Sequence, residues 1–212
     1  MICVSIGTPD IERCRQVLGN AEMAEIRLDR ISAAETDISR LFSSHARLVA
    51  TCRPGGMPDE QRQELLMRAI DSGAAYVDLE LEAAAEFRRP VIKQARSRGC
   101  RVIISHHDFV RTPDPRELQR LVDRCFRAGA DIAKIACRVL TPRDRAALLG
   151  LLSGREPVVV AGLGPAGRIV RLVAPLLGSP FTYASVSDSE PTADGQISAD
   201  ETRRLLETLN NV

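Results

Sequence analysis

The sequence predicts a compact (β/α)8 barrel, with residues 1–212 forming one domain. Eight short apolar runs recur along the chain, and their starts are spaced by about 20 to 30 residues. That interval accommodates a strand, a loop and a helix of about three turns. Helical patterns fill the gaps between the runs, which indicates a parallel sheet, and eight such units favour a closed barrel over an open sheet.

The predicted strands are the apolar runs themselves, taken in chain order. They are Ile2–Ile6, Ala24–Leu28, Arg47–Cys52, Ala75–Leu79, Arg101–Ser105, Asp131–Ala136, Val158–Ala161 and Phe181–Ala184. Start signals support several of the helices between them. Asp114 and Thr141 are each followed by a proline and then by an acid, and Ser198 opens a capping-box pattern before the last helix.

The composition is that of a soluble globular protein and excludes several classes. The chain is 44% hydrophobic and 27% charged, so a sizeable core is expected and general disorder is not. A net charge of +1 gives no reason to expect nucleic-acid binding. No apolar run is long enough for a membrane span, and the first residues read as a strand rather than a signal peptide.

The cysteines and histidines predict neither disulfides nor a metal site. The 6 cysteines are scattered without paired spacing, which is typical of reduced thiols in a cytoplasmic protein. The 3 histidines lack ligand spacing to any cysteine pair, so no metal and no other cofactor is expected.

Lysine is rare in this sequence, and one lysine lies within a predicted strand. There are 27 arginines but only two lysines, Lys93 on a helical stretch and Lys134 in the middle of the sixth strand. A buried ammonium ion is costly, whereas a neutral amine in a barrel can attack a carbonyl and form a Schiff base. The alternative is a structural lysine that reaches the barrel mouth and pairs with Glu25 or Asp29.

Two other strands carry polar residues where a buried parallel strand should be apolar. In the second strand, Glu25, Arg27 and Asp29 alternate with apolar residues and therefore share one face. That face is expected to look into the barrel mouth, unless the three form a purely structural network. His106 and His107 follow the fifth strand on opposite faces, so one of them is a candidate acid/base at the mouth and the alternative is a structural histidine.

A glycine-rich segment after the seventh strand admits two interpretations. Gly162–Gly167 matches the spacing of a dinucleotide-binding loop, with Asp188 about 20 residues on. Because it follows the seventh strand rather than the first, we favour a tight loop that presents Arg171 to a substrate carboxylate. The polar segment 185–196 near the end of the chain is expected to act as a lid over the mouth.

Taken in order, these motifs resemble the type I 3-dehydroquinate dehydratase family, the Schiff-base enzymes of the shikimate pathway. The resemblance covers nearly the whole chain, and each short motif is weak without the others. The matching segments are Glu25–Asp29, Thr51–Arg53, Tyr76–Glu80, Ser105–Phe109, Ala130–Ala136, Arg171, Phe181–Ala184 and Gly195–Gln196.

The resemblance implies a role for each candidate residue. Lys134 would form an imine with the C3 ketone of 3-dehydroquinate, and His107 would act as general acid/base. Arg171 and Gln196 would hold the substrate carboxylate. The ring hydroxyls would meet Glu25, Arg27 and Arg53. A homodimer is also expected on this basis.

The sequence departs from the family pattern at two places. The loop after Arg53 is shortened and lacks the acid that pairs with the family's catalytic histidine, so a different carboxylate would have to serve His107. In the lid, Thr192 takes the place of the family's serine as a substrate-binding hydroxyl, and Asp194 replaces a proline. An added acid is expected to weaken carboxylate binding unless it points away from the site.

Two other functions remain open at this stage. An aldolase-like Schiff-base lyase would share Lys134 and use Arg171 with Gly162–Gly167 for a phosphorylated substrate. A catalytically weak barrel retained as a binding or scaffold protein would bind ligands without forming an imine.

Overall fold

A computed structural model describes residues 1–31 and 35–210 of the chain. It contains eight parallel strands that alternate with helices, so the predicted (β/α)8 architecture is confirmed. The strands are β1 (Ile2–Ile6), β2 (Met23–Arg27), β3 (Leu48–Thr51), β4 (Tyr76–Glu80), β5 (Arg101–Asp108), β6 (Ile132–Arg138), β7 (Val158–Leu163) and β8 (Thr182–Ser185).

The helices surround the sheet and begin where the sequence offers start signals. They are α1 (Ile11–Leu18), α2 (Glu35–Ser44), α3 (Asp59–Asp71), α4 (Ala85–Ser97), α5 (Pro115–Arg127), α6 (Pro142–Gly150), α7 (Arg168–Val173) and α8 (Ala199–Asn210). Asp114 caps two backbone N–H groups of α5, and Thr141 forms a capping box with Asp144 at α6. Helix α8 starts directly after Ser198.

Parallel pairing joins the strands in the order β7-β6-β5-β4-β3-β2-β1-β8. Strands β7 and β8 are also neighbours, but no ladder joins them in the part of the chain that the structure describes, so the barrel is nearly closed. The carboxyl ends of all eight strands meet at one rim. Side chains that end neighbouring strands are therefore brought together there.

Three strands are longer than the apolar pattern predicts. The predicted ends at Ser105, Ala136 and Ala161 are wrong, because β5 stays paired with β6 through Asp108↔Cys137 and β6 stays paired with β7 through Arg138↔Leu163. Ladder hydrogen bonds use backbone groups, so polar side chains at the rim do not end the pairing. The extension places His107 within strand β5, near the rim, rather than on a loop.

The barrel interior is apolar at its amino end and polar toward the rim. A cluster of buried side chains fills the lower layer: Cys3, Met23, Val49, Ile103, Ile132, Val159, Phe181 and Tyr183. A second, larger apolar layer lies between the strands and the helices, which covers the outward strand faces. All six cysteines are buried free thiols. No helix of the described residues is long and apolar enough to span a bilayer.

The glycine-rich segment after β7 lets two stretches of backbone pack directly against each other. Gly162 and Gly167 approach so closely that a Cβ atom on Gly162 would lie 2.5 Å from the Gly167 carbonyl oxygen. The chain then makes a single 3-10 turn over Pro165–Gly167 and enters α7. Glycine is needed here for backbone-to-backbone contact, which supports the tight-loop interpretation over a dinucleotide fingerprint.

Candidate active site

A cavity of about 400 Å³ opens at the carboxyl ends of the strands. All eight residues proposed from the sequence line it or border it, and they come from six different strands or the loops after them. Its charged and polar lining residues are Glu25, Arg27, Arg30, Arg53, Glu80, His107, Lys134, Arg171, Tyr183, Thr192 and Gln196. In a barrel this is the end where catalytic groups are found.

Lys134 lies at the floor of the cavity and is 6% exposed. Its Nζ is 2.9 Å from Asp78 Oδ2 and 3.6 Å from Glu25 Oε1, and it sits 3.9 Å above the centre of the Tyr183 ring. Arg53 lies on the other side of Asp78 and is bound to it at 2.9 Å. The amine is therefore held by two carboxylates and one aromatic face, with the cavity above it.

Asp78 connects Lys134 to the neighbouring strands. One carboxylate oxygen meets Lys134, while the other lies 2.9 Å from Arg53 Nη2 and accepts a 2.6 Å hydrogen bond from Ser105. Burial opposes ionisation of Asp78, but Arg53 and Lys134 together hold the pKa of its carboxyl well below the usual range. In turn Asp78, Glu25 and Glu80 raise the pKa of Arg53 above its usual value despite burial. Asp78 and Arg53 therefore both stay charged at neutral pH.

Glu25 is the second carboxylate against Lys134. It accepts hydrogen bonds from Ser5 and from Thr51, the latter at 3.0 Å. Thr192 in turn donates to Ser5 Oγ at 2.7 Å. A chain of hydroxyl groups therefore joins the buried carboxylate to the loop after β8.

A bidentate ion pair at the rim orients the side chain of Arg27. Its guanidinium meets the Asp29 carboxylate at 3.0 and 2.6 Å, and Asp29 also accepts the backbone N–H of Arg53 at 3.1 Å. Asp29 lies beyond the end of β2, in a turn. The predicted charged face is present for Glu25 and Arg27, whereas the placement of Asp29 on it is wrong, because Asp29 lies in the turn, outside the cavity lining, and binds Arg27.

His107 lines the cavity, whereas its neighbour His106 pairs with Glu82 outside it. The His107 ring stacks on Phe109 with centroids 6.0 Å apart and planes 11° apart. Burial, reinforced by the positive charges of Arg53 and Lys134, lowers the pKa of His107 well below its usual value. No hydrogen bond to this imidazole exists within residues 1–31 and 35–210, so the family's pairing acid has no counterpart there.

Arg171 projects from α7 into the cavity and is 3% exposed. Its Nε donates to the carbonyl oxygen of Gly162 at 2.9 Å, which fixes the guanidinium against the tight glycine loop. Burial lowers the pKa of Arg171 to about 10, with only the more distant Asp194 acting in the opposite sense. Among the described residues it forms no ion pair, so one face of the guanidinium remains available to an anion.

The segment 185–196 folds over the mouth and is secured at several points. Gln196 Oε1 accepts from the backbone N–H of Thr192 at 2.7 Å and lies 3.1 Å from the Thr192 hydroxyl, whose one hydrogen is donated to Ser5. Asp194 turns outward and forms an ion pair with Arg138 at the end of β6. Asp194 is therefore held by Arg138 and does not line the cavity, although its charge acts to raise the pKa of Arg171.

Several residues of the site were not among the predicted ones. Asp78, Ser5 and Ser105 hold the buried charges, Tyr183 lies beneath the lysine, and Arg30 and Glu80 border the cavity. The alternation of Asp78 and Glu80 in β4 repeats that of Glu25 and Arg27 in β2, so the same pattern could have identified them. No group of three or more metal-binding side chains is arranged for a metal among the residues described.

The mouth of this (β/α)8 barrel contains a buried lysine, an imidazole and an arginine that has no carboxylate partner among the described residues. These groups define the protein as a barrel enzyme. The family model for type I 3-dehydroquinase matches residues 2–212. The chain belongs to that family.

Individual relatives and structures agree with this assignment. The 3-dehydroquinate dehydratase of Thermococcus gammatolerans is 38% identical over 198 residues, which cover 91% of this chain and 90% of that protein. That of Methanosarcina acetivorans is 40% identical over 210 residues, covering 89% and 86%. A crystal structure of the type I enzyme from Clostridium difficile superposes with a TM-score of 0.86 at 24% identity, over 99% of this chain and 92% of that one, and supports the fold.

Proposed function

We propose that this protein dehydrates 3-dehydroquinate to 3-dehydroshikimate, as a step of the shikimate pathway, through a Schiff base on Lys134. The mechanism is supported by one observation above all: Lys134 and His107 line the same cavity, and Arg171 lines it too. A nucleophilic amine, an acid/base and a carboxylate-binding group are the three functions this reaction needs. Family membership supplies the substrate.

The reaction begins with attack of the neutral Lys134 amine on the C3 ketone. The proton that Lys134 gave up to become neutral returns to the hydroxyl of the adduct, which leaves as water. The product is a protonated imine, whose positive charge withdraws electrons from C2 and acidifies the proton there. Asp78 and Glu25 lie beside the nitrogen and stabilise that charge. Hydrolysis of the imine at the end of the cycle releases the ketone product and restores the amine.

His107 moves the proton in the second half of the reaction. Its lowered pKa keeps the ring neutral at neutral pH, so it can accept the C2 proton. The resulting imidazolium lies near Arg53 and Lys134, and this positive surrounding favours transfer of the proton to the departing C1 hydroxyl. The electron pair of the broken C2–H bond forms the C1–C2 double bond and expels that hydroxyl, now protonated, as water.

The remaining groups bind and orient the substrate. Arg171 and Gln196 hold the carboxylate from α7 and the lid, with the hydroxyl of Thr192 beside them. Glu25, Arg27 and Arg53 meet the ring hydroxyls. We further propose that the protein works as a cytoplasmic homodimer, a state that sedimentation or size-exclusion measurements test.

Borohydride reduction in the presence of 3-dehydroquinate tests the mechanism. We expect one reduced adduct per chain by intact mass, located by peptide mapping on the peptide that contains Lys134, together with enone absorbance in the unreduced reaction. Lys93, exposed on α4, is the internal control because it should stay unmodified. A folded protein that gives neither adduct nor enone would exclude the dehydratase. Cleavage of a sugar phosphate would instead favour an aldolase-like lyase.

Replacing Arg171 with alanine should raise KM roughly 10- to 100-fold and change kcat much less, because a charged hydrogen bond to the substrate is lost. Steady-state kinetics measures both constants. Arg168→Ala, an exposed position on the same helix, is the matched control. A KM equal to that of the wild type would remove Arg171 from the binding site.

A further inference from the structure

The cations around the cavity differ in how their charges are balanced. Arg27 is paired with Asp29, while Arg53 and Lys134 share Asp78. Arg171 and Arg30 have no carboxylate partner within the described chain, and both line the cavity. Two arginine charges are therefore left for a bound molecule, although the family resemblance uses only Arg171 for the substrate carboxylate.

Arg30 is held at the rim by its surroundings. It follows β2 in a tight turn in which its N–H donates to the Arg27 carbonyl oxygen at 2.9 Å. Its side chain crosses Gly7: a Cβ atom there would lie 3.0 Å from Arg30 Cδ and 3.1 Å from Thr192 Cγ2. The absence of a side chain at Gly7 thus lets Arg30 lie beside Thr192.

An acid on the loop after β8 that lies near Arg30 does not neutralise it. Glu190 borders a small neighbouring cavity together with Arg30, but its carboxylate pairs with Arg13 at 3.2 Å and accepts from Ser187 at 3.0 Å. Within the described residues the guanidinium of Arg30 therefore has no carboxylate partner, and it lies next to Thr192, whose backbone N–H donates to Gln196.

From this geometry we infer that Arg30 is a second substrate-binding arginine, which contacts the carboxylate of the substrate together with Arg171. The lid connects Arg30 to the proposed carboxylate site, because Thr192 borders Arg30 and its backbone N–H donates to Gln196. Two guanidinium groups offer a carboxylate more donors than one, although the Nε of Arg171 already donates to Gly162. This inference rests on the proposed function, because it presupposes a substrate with a carboxylate.

The experiment compares Arg30→Gln with the wild type on 3-dehydroquinate and on its methyl ester, in which the carboxylate is masked. We expect KM for 3-dehydroquinate to rise about tenfold with kcat within about twofold, and Arg30→Lys to recover part of the loss. With the ester, wild type and Arg30→Gln should differ by less than about twofold in kcat/KM. Arg40→Gln, on the exposed face of α2, is the control for removing a surface charge.

The possible outcomes separate the two proposals. An equal loss on substrate and ester would mean that Arg30 supports the loop or a ring hydroxyl, and would overturn the inference. So would an Arg30→Gln enzyme with wild-type KM. Absence of turnover by the wild type would instead refute the proposed function, a result that no Arg30 variant can produce.

Discussion

Replacing Lys134 with alanine is expected to abolish turnover of 3-dehydroquinate, with a loss of roughly 10⁴-fold or more in kcat. No second amine lies in the cavity as described, so the imine cannot form elsewhere. The fold should persist, because Asp78 keeps Arg53 and Ser105 as partners and Glu25 keeps Ser5 and Thr51. Thermal unfolding and the enone assay together measure these two properties.

Lys93→Ala is the matched control for this variant. It removes the only other lysine of the sequence, from an exposed position on α4, and should leave kcat unchanged. Substantial turnover by Lys134→Ala would contradict the Schiff-base mechanism. A water molecule activated by Glu25 or Asp78 would then be the next candidate for the base that starts the elimination from the substrate.

Replacing His107 with alanine should separate the two halves of the reaction. The imine should still form and be trapped by borohydride, whereas enone production should fall about 10²- to 10⁴-fold because no group accepts the C2 proton. Rapid-quench mass spectrometry would show the adduct accumulating. His106→Ala is the control, since that ring faces Glu82 rather than the cavity.

The pH dependence of the wild type gives an independent check on His107. A base whose pKa is lowered stays neutral to more acidic pH, so kcat should be maintained below the usual histidine range and fall only as the ring is protonated. The falling acid limb should be absent from the residual activity of His107→Ala. A His107→Ala enzyme with normal turnover would assign the proton transfer to a carboxylate such as Glu80.

The sequence pattern predicted the barrel because the repeat of apolar runs and helical stretches has a physical cause. A parallel strand buried on both faces must be apolar, and a helix of three turns must return the chain, so eight repeats are visible without any contact information. Lys134 and the pair Glu25 and Arg27 stood out for the same reason, since charge within a buried strand needs an explanation. The strand ends at Asp108, Arg138 and Leu163 were missed, because backbone pairing does not depend on the polarity of the side chains.

The partners of these residues were harder to predict because they depend on strand register. That Asp78 rather than an arginine lies against Lys134 follows from how β4, β5 and β6 are aligned, which one sequence does not reveal. The outward turn of Asp194 depends on Arg138, which is distant in the sequence. Arg30 belongs to none of the motifs visible in the sequence, and only its position across Gly7 distinguishes it.

The position of Asp78 between Lys134 and Arg53 has a consequence for the whole catalytic cycle. In the proposed reaction the lysine nitrogen carries a positive charge in the protonated imine. Asp78, whose pKa is held well below its usual range, is already ionised and lies 2.9 Å from that nitrogen before the substrate arrives. The protein therefore need not reorganise its dipoles to stabilise the charge of the intermediate.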